Sequence, residues 1–287
     1  MTLLRAKHSN DSRKRLGLAL SGGGARGFAH VGILKVLEQE GIFPGFIAGT
    51  SMGGIIGGAY ACGVPVAEIE ARCVRLSSMR ELVKLIDLSP QRRGLLRGDR
   101  VRDFLADFFI ERQFDSLPIP LALPAVDLLS AREVVLKSGL VFPAVMATSA
   151  VPGLFEPVDL GPYRLVDGGV LNNLPVDRAR ELGDGPVIAV DVQFDPYSEL
   201  PWNDLPVPAR FPVPLPPFFL EFYRAEIIMI AEITRAHLLA CPPDLLIRPP
   251  IAPDIDVFLG FNRIPEIIAA GEQAAREALP AITKLLR

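Results

Sequence analysis

The sequence predicts an α/β domain in which a central, mostly parallel sheet is flanked by helices. Short apolar runs typical of buried strands alternate along the chain with helical patterns. The first two strand–helix units are joined by glycine-rich turns, as in the opening of a doubly wound sheet. The composition agrees, because 49% of the 287 residues are hydrophobic and 22% are charged, which suits a buried parallel sheet.

The first unit consists of a strand over Arg15–Leu20, a glycine run and a helix over Ala29–Glu40. The second unit is a strand over Phe46–Ala48 and a small-residue helix over Gly53–Cys62. The uncharged range 41–67 is long enough for a membrane span, but its prolines and glycines divide it into strand, turn and helix. We therefore expect it to be buried core.

The rest of the chain continues the alternation. Residues 66–113 are expected to be mostly helical. Further strands are predicted at Ile119–Asp127, Glu133–Lys137, Tyr163–Val166, Pro186–Val192 and Leu245–Arg248. Further helices are predicted at Phe218–Ala240 and after Pro265.

The domain organisation follows from these elements. Residues 1–14 are expected to form a flexible arm, and residues 15–287 a single domain. Within it, the range 196–217 contains too many prolines for a helix or a central strand, so it is expected to form a lid or a surface segment.

Charge and cysteine content limit the partners and the compartment. A net charge of −3 gives no support for nucleic-acid binding. Three cysteines give no disulfide framework, and no apolar signal region follows the basic start of the chain, so a cytoplasmic location is expected. Basic clusters in the arm and over 92–102 indicate either solvated surface or weak attraction to anionic headgroups of the inner membrane.

The segment Gly49–Gly53 fits the pattern G-x-S-x-G and lies between a predicted strand and a predicted helix. A nucleophilic serine needs such a sharp turn, with glycines at both ends because side chains there would clash. Ser51 is therefore the candidate nucleophile.

A second motif, Gly22-Gly23-Gly24-Ala25-Arg26-Gly27, lies between the first strand and the first helix. Its exposed backbone N–H groups could bind the oxyanion of a tetrahedral intermediate. The same residues also match the dinucleotide fingerprint G-x-G-x-x-G, but that motif needs an acid at the end of the next strand. Here that strand ends in the Ser51 turn, so the dinucleotide interpretation is disfavoured.

The candidate base is an aspartate. Asp167 follows the predicted strand Tyr163–Val166 and precedes two glycines, at the end of a strand where ligands bind in such sheets. The three histidines fit poorly: His8 lies in the arm, and His30 and His237 lie within helical patterns. Burial would raise the pKa of Asp167 towards the working range of a general base.

Taken together, the motifs GGGARG (22–27), GTSMG (49–53) and DGG (167–169) resemble the patatin-like phospholipase family, in the right order and spacing. Ser149–Pro157, Asn173 and Pro175 also fit that resemblance. The tail, with Pro242–Ile247 and Phe261, resembles small bacterial members related to the catalytic domain of neuropathy target esterase.

The resemblance implies a Ser51–Asp167 dyad at strand ends, with an oxyanion loop of Gly22, Gly23, Gly24, Ala25 and Arg26, in which Arg26 braces the loop. It also implies hydrolysis of phospholipids, lysophospholipids or simple esters without calcium, so neither a metal nor a cofactor is expected. Two alternatives stay open: a catalytically silent binding or regulatory protein with the same fold, and a dinucleotide-dependent oxidoreductase.

Overall fold

The computed structural model describes residues 15–87, 94–193, 217–255, 257 and 260–287. The expected arm over 1–14 and the expected lid or surface segment over 196–217, apart from Pro217, lie outside the described residues.

The described part contains eight strands and nine α-helices. The strands are β1 (Gly17–Leu20), β2 (Phe46–Gly49), β3 (Leu121–Asp127), β4 (Arg132–Leu136), β5 (Val158–Leu160), β6 (Tyr163–Asp167), β7 (Val187–Val190) and β8 (Leu245–Ile247). The helices are α1 (Ala29–Gln39), α2 (Met52–Ala61), α3 (Val66–Arg75), α4 (Met79–Lys84), α5 (Asp99–Phe109), α6 (Val141–Thr148), α7 (Val176–Arg180), α8 (Pro217–Ala240) and α9 (Ile264–Leu285). The strands and helices that were predicted individually agree with these elements to within a few residues at each end, whereas α6, α7 and β5 were not predicted.

The centre of the sheet is parallel and has the order β3-β2-β1-β7-β8. Of the described strands, β1 comes first in the chain. It pairs with β2 on one side and with β7 on the other, so the strand order reverses at β1. Crevices at the carboxyl ends of strands form at such a switch point. The predicted α/β class with a mostly parallel sheet is therefore confirmed.

The other edge of the sheet is antiparallel. Beyond its pairing with β2, β3 continues and pairs antiparallel with β6 and with β4, and β5 completes this edge. The sequence does not predict the direction of these strands, nor β5, which has only three residues and is partly exposed. Because β6 runs antiparallel to β3, its carboxyl end lies beside the middle of β3, where Asp167 is opposite Ala125.

Alternation along the parallel strands divides the core into two layers. In β1, Leu18 and Leu20 face the layer that contains α1, α2 and α9, whereas Ala19 packs with Ala189 against α7. The uncharged range 41–67 forms β2 and α2 within this core, as predicted. In the part of the chain that the structure describes, no helix is long and apolar enough to cross a membrane.

Candidate active site

Ser51 occupies the sharp turn between β2 and α2. Its backbone has φ 53° and ψ −122°, a conformation that non-glycine residues rarely adopt and that persists only where the surroundings enforce it. A Cβ atom on Gly49 would lie 2.5 Å from the carbonyl oxygen of Gly53, and one on Gly53 would lie 2.4 Å from that of Leu20. Both glycines of the predicted turn are therefore required by close backbone approach.

Hydrogen bonds from distant segments hold this turn in place. The backbone N–H of Ser51 donates to Oγ1 of Thr148 at 3.3 Å, and the hydroxyl of Thr148 donates to the carbonyl of Pro124 in β3. The hydroxyl of Thr50 donates to the carbonyl of Asn172 at 2.8 Å. The strained turn is thus attached through Thr148 to β3, which pairs with β6, and through Thr50 to the segment that follows β6.

Asp167 ends β6 and lies beside Ser51. Its side chain is 5% exposed, and its Oδ1 accepts the N–H of Gly169 at 2.7 Å. The hydroxyl of Ser51 lies close enough to the carboxyl group of Asp167 to affect its pKa. Burial raises the pKa of Asp167 to about 6, although the hydroxyl of Ser51 and the N–H of Gly169 act in the opposite direction. The pair predicted as nucleophile and base is therefore brought together.

The glycine loop follows β1 and reaches the same place, but three of its five N–H groups have partners inside the protein. Gly22 donates to the carbonyl of Asn173 at 3.1 Å, Ala25 to that of Val257 at 2.7 Å, and Arg26 to that of Gly23 at 3.0 Å. Among the described residues, the N–H groups of Gly23 and Gly24 have no such acceptor. The expected set of oxyanion donors narrows to these two residues, because hydrogen bonds already occupy the other three.

The side chain of Arg26 is buried behind the loop. Its Nε donates to the carbonyl of Val192 at 2.7 Å and its Nη1 to that of Ile255 at 3.1 Å. These bonds connect the loop to the end of β7 and to the segment that precedes α9. A guanidinium held by two carbonyl groups can support the loop from behind.

Neither described histidine is placed to act as a base. His30 is completely buried, its Nε2 donates to the carbonyl of Ser21 at 2.9 Å, and burial lowers its pKa to about 4. His237 lies in the last turn of α8, outside the described lining of the cavity that contains Ser51.

Ser51 and Asp167 open into a cavity of about 780 Å³. Most of its described lining is apolar and comes from α2, α3, α5 and the loops around them. Representative residues are Ile55, Ile69, Leu76, Phe104, Leu105 and Phe108. A cavity of this size and polarity can hold a chain of methylene groups.

Sequence reasoning missed three polar features of the site. Thr148 supports the serine turn, Glu226 of α8 lines the cavity, and the side-chain Nδ2 of Asn173 is buried without a partner among the described residues. Thr148 and Glu226 lie inside ordinary helical patterns, so no local signal distinguishes them. The only sequence signal of Asn173 is its position after the DGG motif.

The fold and the site together define an α/β protein with a serine turn, a facing aspartate and an apolar cavity. The model of the patatin-like phospholipase family matches residues 18–180. The chain therefore belongs to the patatin-like phospholipase family.

The curated relatives of this chain support the same family assignment. An uncharacterized NTE family protein of Mycobacterium tuberculosis is 32% identical over 96% of this chain and 48% of its own length. A patatin-like phospholipase domain-containing protein of Caenorhabditis elegans is 31% identical over 92% of this chain and 20% of its own. The mouse patatin-like phospholipase domain-containing protein 6 is 32% identical over 68% of this chain and 15% of its own. The chain spans about half the length of the first mycobacterial relatives it matches, and less of the animal ones.

Proposed function

We propose that residues 15–287 form one hydrolase domain that cleaves acyl esters of phospholipids or lysophospholipids through Ser51 and Asp167. The observation that carries this proposal is the juxtaposition of a strained, cavity-lining serine and a buried aspartate whose pKa burial raises to about 6. Family membership and the apolar cavity support a lipid substrate.

In the first step Asp167 takes the hydroxyl proton of Ser51 while Oγ attacks the ester carbonyl carbon. A raised pKa makes Asp167 a better base than an exposed aspartate, and it is still ionised near neutral pH. The negative charge that develops on the carbonyl oxygen is stabilised by the N–H groups of Gly23 and Gly24. A donor of this kind contributes about 100- to 1,000-fold in kcat.

Collapse of the tetrahedral intermediate breaks the ester bond. Protonated Asp167 gives its proton to the departing alcohol oxygen, and the acyl group stays on Ser51. A water molecule then attacks the acyl-enzyme, Asp167 takes its proton, and the fatty acid leaves as Ser51 is restored. Throughout, the acyl chain lies along the apolar wall formed by α2, α3 and α5.

The proposal is tested by incubating the purified protein with p-nitrophenyl butyrate, a lysophospholipid and a diacyl phospholipid, and measuring the nitrophenol or fatty acid released. We expect hydrolysis of at least one lipid, and its loss in Ser51→Ala at unchanged circular dichroism. A folded wild-type protein that hydrolyses none of the three would favour the catalytically silent alternative.

A further inference from the structure

The cavity contains a second buried acid besides Asp167. Glu226 lies on α8, is 9% exposed, and lines the same cavity as Ser51. Its helix packs against the turn Gly168–Val170 that directly follows Asp167. Two carboxyl groups therefore border the space in which the ester would react.

No cation neutralises Glu226 within the described part of the chain. It has neither a hydrogen bond nor an ion pair there. The charged group that affects its pKa is Asp167. Of the other charged residues in the described lining, Asp254 and Arg263 pair with each other at 2.7 Å, and Arg263 also pairs with Glu266. On α8 itself, Arg224 pairs with Glu221 at 3.0 Å. Negative charge thus predominates in the cavity.

A buried carboxyl group that has no partner among the described residues is not needed for packing against them. Burying it carries a desolvation cost, whereas an apolar side chain of similar size would suit the surrounding wall better. Burial and the charge of Asp167 raise the pKa of Glu226 to about 7, so it is largely ionised in mildly alkaline solution. Such groups in a cavity are typical of functional positions.

We propose that Glu226 is a specificity-determining residue, which disfavours esters whose alcohol part carries a net negative charge close to the scissile bond, so that zwitterionic lipids are preferred to anionic ones. The inference rests on the proposed esterase activity. Its physical basis is Coulomb repulsion, which is stronger in an apolar cavity than in water because fewer dipoles screen it. Neutral or cationic groups at the same place escape this penalty.

The test uses two phenyl esters of one acyl chain that differ only in a para carboxamide or a para carboxylate. The ratio of their kcat/KM values, measured at about pH 8 where Glu226 is charged, reports the preference. We expect Glu226→Gln to raise the relative kcat/KM of the carboxylate ester on the order of tenfold. Glu226→Asp, which keeps the charge, should stay close to the wild-type ratio.

The matched control is Glu221→Gln, on the same helix, because Glu221 is exposed and lies outside the described cavity lining. It should leave the ratio unchanged. A ratio in Glu226→Gln that equals that of the wild type would overturn the inference while leaving the esterase proposal intact. If the wild type hydrolyses neither ester, the esterase proposal fails and this inference fails with it.

A second measurement needs no variant. Only enzyme with ionised Asp167 turns over, so the wild-type ratio reports the charge of Glu226 as the pH changes. Discrimination against the carboxylate ester should weaken as the pH falls through about 7, where Glu226 takes up a proton. A ratio that stays constant between about pH 6 and 8.5 would contradict the proposal.

Discussion

Asp127 and Asp167 lie on neighbouring antiparallel strands, and both are nearly excluded from solvent, yet their carboxyl groups differ. Asp127, 3% exposed, accepts the hydroxyl and N–H of Ser130 at 2.6 and 3.0 Å and the N–H groups of Arg164 and Leu129 at 2.9 and 3.3 Å. These donors, Ser130 first among them, hold its pKa below the usual range.

Among the described residues, Asp167 accepts the N–H of Gly169, the hydroxyl of Ser51 also lowers its pKa, and burial outweighs both. The difference shows that low exposure to solvent does not by itself raise the pKa of an aspartate, because the hydrogen bonds that its carboxylate accepts act against such a rise. A carboxylate saturated with donors stays ionised and stabilises a turn, whereas one with few donors keeps a pKa suited to proton transfer.

The largest expected effect is on kcat/KM, which should respond very differently to substitution of the two aspartates. Asp167→Asn removes the base and should lower kcat/KM for p-nitrophenyl butyrate by on the order of 1,000-fold or more. Asp127→Asn should stay within about tenfold of the wild type, because that carboxylate holds a turn away from the cavity. Steady-state kinetics on folded samples measures both, and comparable losses in the two variants would remove the distinction.

The next effect is on the pH profile. Asp167 must be ionised to act, so kcat/KM should fall about tenfold per pH unit below its pKa of about 6 and reach a plateau above it. The pKa of Asp127 lies below its usual range, so this residue should not contribute to the profile. The profile is measured with the neutral ester from about pH 5 to 8.5. Constant activity down to the acid end would contradict the assignment of Asp167 as the base.

The smallest effect is on stability, and it should have opposite signs for the two residues. The folded-state pKa of Asp167 is above the value of the unfolded chain, so its favourable contribution is present at acid pH and is lost as the pH rises through about 6. At about pH 8, Asp167→Asn should therefore raise the free energy of unfolding by up to about 3 kcal/mol, reduced by the weaker bonds of the amide.

For Asp127 the sign is reversed. Its folded-state pKa is lowered, so its contribution is present above the unfolded pKa and is lost as the pH falls through the lower folded value. Asp127→Asn should therefore lower the Tm at neutral pH. Thermal unfolding of the two variants beside the wild type measures the contrast, and destabilisation by Asp167→Asn would show that its carboxylate is structural.

Local patterns predicted the elements that carry the site. The serine turn and the glycine loop each follow a short apolar strand, and these strand–turn–helix units depend on neighbouring residues alone. The direction of β6 was not predictable, because it depends on pairing with β3, about forty residues earlier in the chain.

The same physical reason explains the missed details of the site. The N–H of Ala25 is used by Val257, and Arg26 is held by Val192 and Ile255, which are more than 160 residues away in sequence. Glu226 enters the cavity only because α8 packs against the turn after Asp167. The spacing of residues in the sequence does not predict such contacts between distant segments.

The central claim is that Ser51 is activated by Asp167. Labelling with a fluorophosphonate probe, followed by mass spectrometry of the modified peptide, tests this claim most directly. The account predicts a label on Ser51 in the wild type and in Asp127→Asn, and a strongly reduced labelling rate in Asp167→Asn. Equal labelling in Asp167→Asn would contradict the account. So would a label on Ser149, which also lines the cavity but donates to the carbonyl of Val145.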